Sequence, residues 1–253
     1  MKNKFYFLHI PKTGGHYLID QLITPLKKRL KPKGIKFIGS YHLAWYIFDH
    51  YNIDETYIIS VFRDPAKRTV SHFCFSMFKN ADSSPRKGAY ELNVEGLFKW
   101  VEDFQNYLTN FQVKNFIAEY NSKDAHIDTL YYFIQEISFT KIKTIDRELL
   151  QKRLDRIDIL LKDTQLNKNT MESVAQKIFN DFKISEPLWK FRSDFIPNSH
   201  YSININAELY NMNKDSELLF SQLNEQQIQK LYDLSPIDTE VYFNNSLFWN
   251  EGK

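Results

Sequence analysis

The stretch from Phe5 to Leu30 constrains the fold more than any other part of the chain. An apolar run, Phe5–Ile10, is followed by the turn Pro11–Gly15 and then by an amphipathic stretch, Tyr17–Leu30. This order predicts a strand, a tight turn and a helix. Turn amides and the helix N-terminus then face one point, which suits a phosphate or sulfate. The two glycines allow positive φ and close approach of a ligand, and Lys12 adds a positive charge.

The order of residues in this turn differs from that of a Walker A loop. A Walker A loop has a glycine, four further residues and then Gly-Lys-Ser/Thr. Here Lys12 precedes Gly14 and Gly15, and the sequence holds no second copy of the motif. An ATPase or a kinase therefore loses its main support. For this stretch alone, a simple strand-to-helix connection stays open as the alternative.

Further apolar runs alternate with helical patterns along the chain. Buried strands are predicted at Ile35–Ile38, Thr56–Phe62 and Ile157–Leu161. Helices are predicted at Tyr41–Tyr51, Ala66–Lys79, Val94–Tyr107, Ile145–Arg156, Asn169–Phe182 and Asn224–Tyr232. This alternation predicts an α/β fold, in which a central, mostly parallel sheet is flanked by helices on both faces. We find no repeat or clear linker, which favours a single domain over residues 1–253.

Composition limits the classes of partner. The net charge is only +2, whereas broad nucleic-acid binding usually needs a strongly basic face. No apolar run is long enough to span a bilayer, and folding residues begin almost at Met1. We therefore expect no membrane partner and a cytoplasmic protein, or a soluble fragment of a longer one. Cys74 is the only cysteine, so neither an intrachain disulfide nor a cysteine-based metal site is expected.

A second segment, Val61–Phe73, has the chemistry of a phosphate site. Arg63 ends a predicted strand, Asp64 and Pro65 suit the start of the next helix, and Ser71 lies two turns into that helix. A phosphate beside the strand end would take a bidentate contact from Arg63 and a hydroxyl from Ser71. The alternative is a surface pair between Arg63 and Asp64 with a serine on the helix surface.

Together the two segments resemble the sulfotransferases that use 3′-phosphoadenosine 5′-phosphosulfate (PAPS), in particular the carbohydrate sulfotransferases of the heparan-sulfate 2-O type. In that family a Pro-Lys-Thr-Gly-Gly-like loop holds the 5′-phosphosulfate, and an Arg-Asp-Pro-x-x-Arg-x-x-Ser segment holds the 3′-phosphate. Both occur here in the same order, at Pro11–Gly15 and Arg63–Ser71. Asn110–Asn115, Ile157–Val174 and Leu231–Tyr242 match more loosely, the last as a closing helix.

The resemblance implies a P-loop-like three-layer fold, PAPS as co-substrate and transfer of a sulfonate to an acceptor hydroxyl, typically of a carbohydrate. The residues that it implies for the donor are Lys12, Thr13, Gly14, Gly15, His16, Tyr17, Arg63 and Ser71. The family usually has Thr or Ser where His16 stands, and imidazole can also donate a hydrogen bond there. Its animal members are usually Golgi-anchored, so a chain without an anchor fits a bacterial or viral homologue.

Sulfonate transfer needs charge stabilisation and a base. Lys12 would stabilise the leaving group, and the motifs require no metal. Histidine suits the role of base near neutral pH. His42 is the first choice, because it follows the second predicted strand and resembles the family's catalytic-histidine segment. His16 is the rival, whereas His72 is expected to pack on the helix after Arg63.

The acceptor and the oligomeric state stay open at this stage. The aromatic segment Tyr41–Tyr51 and the polar loop Asn80–Tyr90 are candidate acceptor contacts, although a plain surface loop is the alternative. Two other functions also stay open. One is a P-loop-type nucleotide kinase or hydrolase, and the other is a non-catalytic nucleotide- or glycan-binding protein on the same scaffold.

Overall fold

The computed structural model describes residues 2–38, 45, 48, 51–77, 90–118, 138–185 and 214–250. In this part of the chain the strands are β1 (Lys4–Leu8), β2 (Lys36–Phe37), β3 (Thr56–Phe62) and β4 (Ile159–Lys162). The helices are α1 (Gly15–Leu18), α2 (Thr24–Leu30), α3 (Pro65–Met77), α4 (Val94–Asp103), α5 (Gln105–Leu108), α6 (Phe111–Ile117), α7 (Arg147–Leu154), α8 (Lys168–Asp181), α9 (Glu225–Leu234) and α10 (Pro236–Phe243). Residues 138–141 and 214–221 are also helical.

The strands form one parallel sheet in the order β2-β1-β3-β4. In its register, Leu8 of β1 lies opposite Ser60 of β3, which in turn lies opposite Leu160 of β4. Every residue of β3 is buried, as expected for a parallel strand that is covered on both faces. The predicted α/β class and parallel sheet flanked by helices are thus confirmed.

The strand order creates a switch point in the sheet. From β1 the chain passes to β2 on one side, and it then returns to β3 on the other side of β1. In open α/β sheets, ligands bind outside the carboxyl ends of the strands at such a point. The segment after β1 and the segment after β3 are therefore neighbours at the edge where a ligand is expected.

Within the described residues the predicted helices occur close to their expected positions, with two differences, whereas most of the helix predicted at Tyr41–Tyr51 lies outside these residues. The helix predicted at Val94–Tyr107 breaks at Phe104, where α4 ends and α5 begins. The closing helix that the family resemblance implied at Leu231–Tyr242 breaks at Ser235 into α9 and α10. The predicted capping pair of α9 is present, because Asn224 and Gln227 each accept the other's backbone N–H at 2.9 Å.

The chain divides into two compact units, each assembled from separate segments. The first comprises Met1–Arg63, Arg147–Ile196 and Asn244–Lys253, and the second comprises Asp64–Asp146 and Pro197–Phe243. Because both units are discontinuous in sequence, this division is not a cut between two successive domains. The single domain over residues 1–253 stays a prediction.

The core of the first unit lies on one face of the sheet. Alternate residues of β1 and β3, such as Phe5, Phe7 and Ile59, pack with α2 and α8. On α8, Met171, Val174 and Ile178 are buried, as their helical spacing predicts, and Phe182 is partly buried against the same core. Packing on this face holds the sheet in place, so the loops that follow the strands start from defined positions.

The second unit has an aromatic core around α3. The buried ring of His72 makes edge contacts with Trp100, Tyr107 and Phe111, at centroid distances of 5.4–5.7 Å. This confirms the prediction that His72 packs on the helix after Arg63. Cys74, the only cysteine of the sequence, is also buried, as is usual for an inert thiol.

A reciprocal pair of caps joins two helices of the second unit, and we call it the crossed cap (Asn110 and Asp238). The Asn110 side chain accepts the backbone N–H of Ile237 at 2.8 Å and that of Asp238 at 3.3 Å, at the start of α10. The Asp238 carboxylate accepts the N–H groups of Gln112 and Val113 at 2.9 and 2.8 Å, at the start of α6. Each residue thus satisfies amide groups of the other's helix.

Among the residues that the structure describes, no helix is both long and apolar enough to cross a membrane.

Candidate functional site

The turn between β1 and α1 contains two left-handed residues. Lys12 has φ of 68° and Gly14 has φ of 88°. Alternation of left-handed and ordinary residues turns successive backbone N–H groups toward one side, which makes an anion-binding concavity. A positive φ costs little for glycine but about 1 kcal/mol for lysine. Lys12 therefore needs support from its surroundings to keep this conformation.

Side chains packed behind the turn explain both glycines. A Cβ atom on Gly15 would lie 1.8 Å from Nε2 of His9, which is itself buried and stacked on Phe7. A Cβ on Gly14 would lie 2.6 Å from Cδ1 of Leu166. Neither position accepts a larger residue without movement of a packed side chain. The turn is therefore held close to the imidazole and to the segment after β4.

Thr13 is wholly buried and fastens the turn from inside. Its Oγ1 donates a hydrogen bond to the carbonyl oxygen of Ile10 at 2.8 Å. The hydroxyl proton of Thr13 is thus used within the protein, whereas the hydroxyl oxygen still has acceptor capacity.

The helical segment after the turn contains a π-helix. Between α1 and α2, residues Ile19–Ile23 form a π-helix, so that helical backbone continues from Gly15 to Leu30 with a local change of hydrogen bonding. Such segments are rare and occur often at functional sites. Tyr17 lies in α1 and packs partly against the core, and burial raises the pKa of its phenol. His16 is also in α1, but its side chain lies outside the described part of the structure.

Arg63 connects the end of β3 to the turn after β1. Its Nη1 donates to the carbonyl oxygen of Lys12 at 3.1 Å. This contact supports the left-handed residue of the turn and places a guanidinium next to the concavity. The predicted juxtaposition of these two cationic segments at the carboxyl edge of the sheet is observed.

Sequence reasoning missed Asp163, which lies at the same edge. Its Oδ2 is 3.8 Å from Nε of Arg63, and both side chains are mostly buried. Asp163 comes directly after β4, which pairs with β3, so the rule that placed Arg63 near the turn also places Asp163 there. The position of a carboxylate directly after the last predicted strand could therefore have indicated that Asp163 belongs to the site.

The second half of the predicted phosphate segment belongs to the second unit. Asp64 accepts the backbone N–H of Lys67 at 3.0 Å, which caps α3 as predicted, and it also accepts the hydroxyl of Tyr232 at 2.7 Å. Ser71 is only 1% exposed. The alternative of a serine on the helix surface is therefore wrong.

The hydroxyl of Ser71 is the more informative feature of α3. Within the described part of the chain, the Ser71 Oγ has no hydrogen-bond partner. A buried hydroxyl without a partner costs about 1–3 kcal/mol, so such groups are uncommon unless a ligand or water completes them. The position of Ser71 is thus compatible with a ligand-binding hydroxyl.

A buried arginine follows Arg63 in the same motif and has a different environment. The guanidinium of Arg68 lies 3.4 Å from the centroid of the Phe111 ring, and its Nη2 is 2.8 Å from Nδ1 of His72. Because a guanidinium has no lone pair to offer, Nδ1 of His72 accepts this hydrogen bond. Arg68 and His72 therefore support the interior of the second unit.

Several predicted residues lie outside the described part of the structure. They include His42, most of Tyr41–Tyr51 and most of Asn80–Tyr90. The choice of base and the candidate acceptor contacts stay predictions. Among the residues that are described, no group of three or more His, Cys, Asp or Glu side chains is placed to hold a metal ion.

Neither a scan against protein-family models nor a search of curated proteins found a match for this chain. We therefore infer the function from the motifs and from the geometry at the strand ends.

Proposed function

We propose that this protein is a PAPS-dependent sulfotransferase that moves a sulfonate group to an acceptor hydroxyl. The observation that carries the proposal is the left-handed turn after β1, with Arg63 of the neighbouring strand end bonded to it at 3.1 Å. This arrangement gathers backbone N–H groups, a lysine and a guanidinium at the switch point of a parallel sheet. Such a combination suits a ligand with more than one phosphate-like group.

In this proposal the turn holds the 5′-phosphosulfate of the donor. The residues assigned to it are Lys12, Thr13, Gly14, Gly15, His16 and Tyr17. The backbone of the turn supplies hydrogen bonds, and Lys12 supplies charge. A P-loop-like fold, with a different order of lysine and glycines from the Walker A loop, is part of this proposal.

The family resemblance is what assigns both Arg63 and Ser71 to the 3′-phosphate. The planar guanidinium of Arg63 suits bidentate contact with a phosphate. The hydroxyl of Ser71, which has no partner among the described residues, gains a hydrogen bond when an anionic oxygen is present. The 3′-phosphate distinguishes PAPS from ATP. The motif pair therefore favours a sulfonate donor over a nucleotide triphosphate.

The reaction is an in-line displacement at sulfur. The acceptor oxygen forms a new S–O bond, the bond from sulfur to the 5′-phosphate oxygen breaks, and 3′-phosphoadenosine 5′-phosphate leaves. Lys12 stabilises the charge that develops on the leaving oxygen. The hydroxyl proton passes to a histidine, for which His42 is the first candidate and His16 the second. A carbohydrate is the proposed acceptor class, from the family resemblance.

Calorimetry with 3′-phosphoadenosine 5′-phosphate tests the donor site. Arg63→Ala is expected to weaken binding by about 100-fold, because a charge-assisted bidentate contact and the support of Lys12 are both lost. Arg156→Ala is the matched control, since Arg156 is an exposed arginine of the same unit that pairs with Asp54. An equal effect of the two variants would refute the assignment of Arg63.

Transfer from labelled PAPS to a panel of saccharide, phenol and small-molecule acceptors tests the reaction. Lys12→Ala, His42→Ala and His16→Ala are compared at saturating donor. Loss of turnover in Lys12→Ala, together with loss in one histidine variant, identifies the two groups. Nucleotide binding without transfer to any acceptor would instead indicate a non-catalytic binding protein.

A further inference from the structure

The segment that follows β4 contacts both Arg63 and the turn Pro11–Gly15, which we call the phosphate turn. Its first residue, Asp163, faces Nε of Arg63 at 3.8 Å, and its fourth, Leu166, packs where a Cβ on Gly14 would lie. The turn is therefore supported from a third strand end, in addition to β1 and β3. Neither contact belongs to the motifs by which the donor site was recognised.

This segment is itself held rigidly. Gln165 Oε1 accepts the backbone N–H of Lys162 at 2.8 Å, and Gln165 Nε2 donates to the carbonyl oxygen of Trp249 at 2.8 Å. The N–H of Trp249 in turn donates to Leu160 within β4 at 2.7 Å. Asp163 begins a short 3₁₀ turn within this frame, so its carboxylate is presented from a fixed position.

The contacts of Arg63 form a chain from Asp163 to Lys12. Nε of Arg63 faces the carboxylate, and Nη1 donates to the carbonyl of Lys12, whose φ is 68°. A carboxylate that fixes the Nε edge of an arginine restricts rotation of the whole guanidinium, because that group is planar. The side chains of Arg63 and Asp163 are 22% and 17% exposed, so solvent screens the pair only in part.

We propose that Asp163 is a positioning residue, which sets the affinity of the phosphate turn for anions by holding Arg63 against Lys12. The inference rests on the proposed donor site, but it needs only that the turn binds a phosphate-like anion. The expected change in anion affinity on removal of Asp163 is opposite to that expected from charge alone. A carboxylate near a bound anion repels it, so simple electrostatics predicts that removal of Asp163 tightens binding, whereas a positioning role predicts weaker binding.

The experiment measures binding of inorganic pyrophosphate and of 3′-phosphoadenosine 5′-phosphate by calorimetry. Asp163→Ala is expected to weaken both by about five-fold, the range of a partly buried ion pair. Asp163→Asn keeps an oxygen acceptor for Arg63 and is expected to change in the same direction by less. Glu148→Gln is the control, because it removes an exposed carboxylate of the same unit. Thermal unfolding checks that each variant is folded. If Asp163→Ala is not folded, the result for Asp163→Asn decides.

A double-mutant cycle with Arg63→Ala separates positioning from general damage. In the Arg63→Ala background, Asp163→Ala is expected to have no further effect on pyrophosphate binding. Tighter or unchanged binding in Asp163→Ala, or an undiminished effect without Arg63, would overturn the proposal.

The wild-type protein itself separates this inference from the proposed function. If it binds pyrophosphate but does not prefer 3′-phosphoadenosine 5′-phosphate, the donor assignment fails and the pyrophosphate series still decides the role of Asp163. If it binds neither ligand, both the donor site and the role of Asp163 are refuted.

Discussion

Lys12 and Asn110 are two of the three described non-glycine residues with left-handed backbone conformations, and the conformation serves a different purpose in each. Their φ angles are 68° and 51°. Asparagine tolerates this region better than lysine, because its short side chain bonds locally to the backbone. At Asn110 both the backbone and the side chain are used within the protein. At Lys12 the unfavourable backbone conformation lies next to two glycines and to the guanidinium of Arg63.

The crossed cap is a closed network. The N–H of Asn110 donates to Ser235 Oγ at 3.1 Å, its side chain caps α10, and Asp238 caps α6. The side chains of Asn110 and Asp238 are buried, so the gain from these bonds is stability and a fixed geometry between two helices.

The phosphate turn, in contrast to the crossed cap, is supported by residues outside it. Its contacts with Arg63, His9 and Leu166 come from behind or beside the turn, and Lys12 remains half-buried. Strain that is supported by neighbours in this way is typical of sites that are organised before the ligand arrives. The comparison therefore predicts that damage to the turn removes binding, whereas damage to the crossed cap removes stability and spares the chemistry of the turn.

Gly15→Ala is expected to have the largest effect. The added Cβ would lie 1.8 Å from His9 Nε2, so the turn must change shape. We expect anion binding to weaken by more than about 100-fold and the free energy of unfolding to fall by about 2–3 kcal/mol. Calorimetry and chemical denaturation measure the two quantities.

Gly34→Ala is the matched control for this variant. Gly34 has φ of 78°, but nothing lies within 4 Å of an added Cβ. The cost is therefore conformational, about 1 kcal/mol of stability, with anion affinity unchanged. Comparable loss of affinity in both variants would show that the packing behind Gly15 is unimportant.

Asp238→Ala is expected to reduce the free energy of unfolding by about 2–3 kcal/mol, because it leaves the N–H groups of Gln112 and Val113 without acceptors in a buried place. Asp233→Ala serves as control, since Asp233 is exposed on α9. Chemical denaturation gives the free energies, and calorimetry at a temperature where the variant is folded gives the anion affinity. A large loss of affinity in folded protein would break the distinction between the two regions.

The pH dependence of stability sharpens the same contrast. Burial raises the pKa of Asp238 to about 6, above its ordinary value of 3.8. The folded state thus binds more protons than the unfolded state between these values, so this group's contribution to stability falls as pH rises from about 4 to about 6. The difference in free energy of unfolding between the wild type and Asp238→Asn is expected to decline across this pH range, as measured by chemical denaturation at each pH. A difference that rises over the window would contradict the assigned direction.

Thr13→Val is expected to have the smallest effect. It removes the hydrogen bond from Thr13 to the Ile10 carbonyl while keeping the shape of the side chain. We expect a loss of about 1 kcal/mol in stability and less than about five-fold in anion affinity. Thr13→Ser should restore both. A much larger loss of affinity than of stability would mean that the hydroxyl also contacts the ligand.

Sequence patterns predicted the fold well where local chemistry determines structure. The apolar run Thr56–Phe62 and the cap at Asp64 could be read directly, because burial and capping act within a few residues. The break at Ser235 could not, because it depends on the crossed cap with Asn110, which is distant in sequence.

The candidate site was also predicted only in part from the sequence. The glycines and Lys12 mark the turn in the sequence, and the strand order explains why Arg63 lies next to it. The position of Asp163 after β4 follows from the same strand order, whereas the packing of His9 against Gly15 depends on tertiary structure for which no spacing rule exists.

The most direct test compares 3′-phosphoadenosine 5′-phosphate with adenosine 5′-phosphate by calorimetry on the wild-type protein. The two ligands differ only in the 3′-phosphate, for which Arg63 and Ser71 are proposed. We expect the bisphosphate to bind about 100-fold more tightly, which is the effect of one charge-assisted contact of the 3′-phosphate with an arginine and a hydroxyl. Equal affinities would contradict the two-phosphate site and, with it, the assignment of PAPS as the donor.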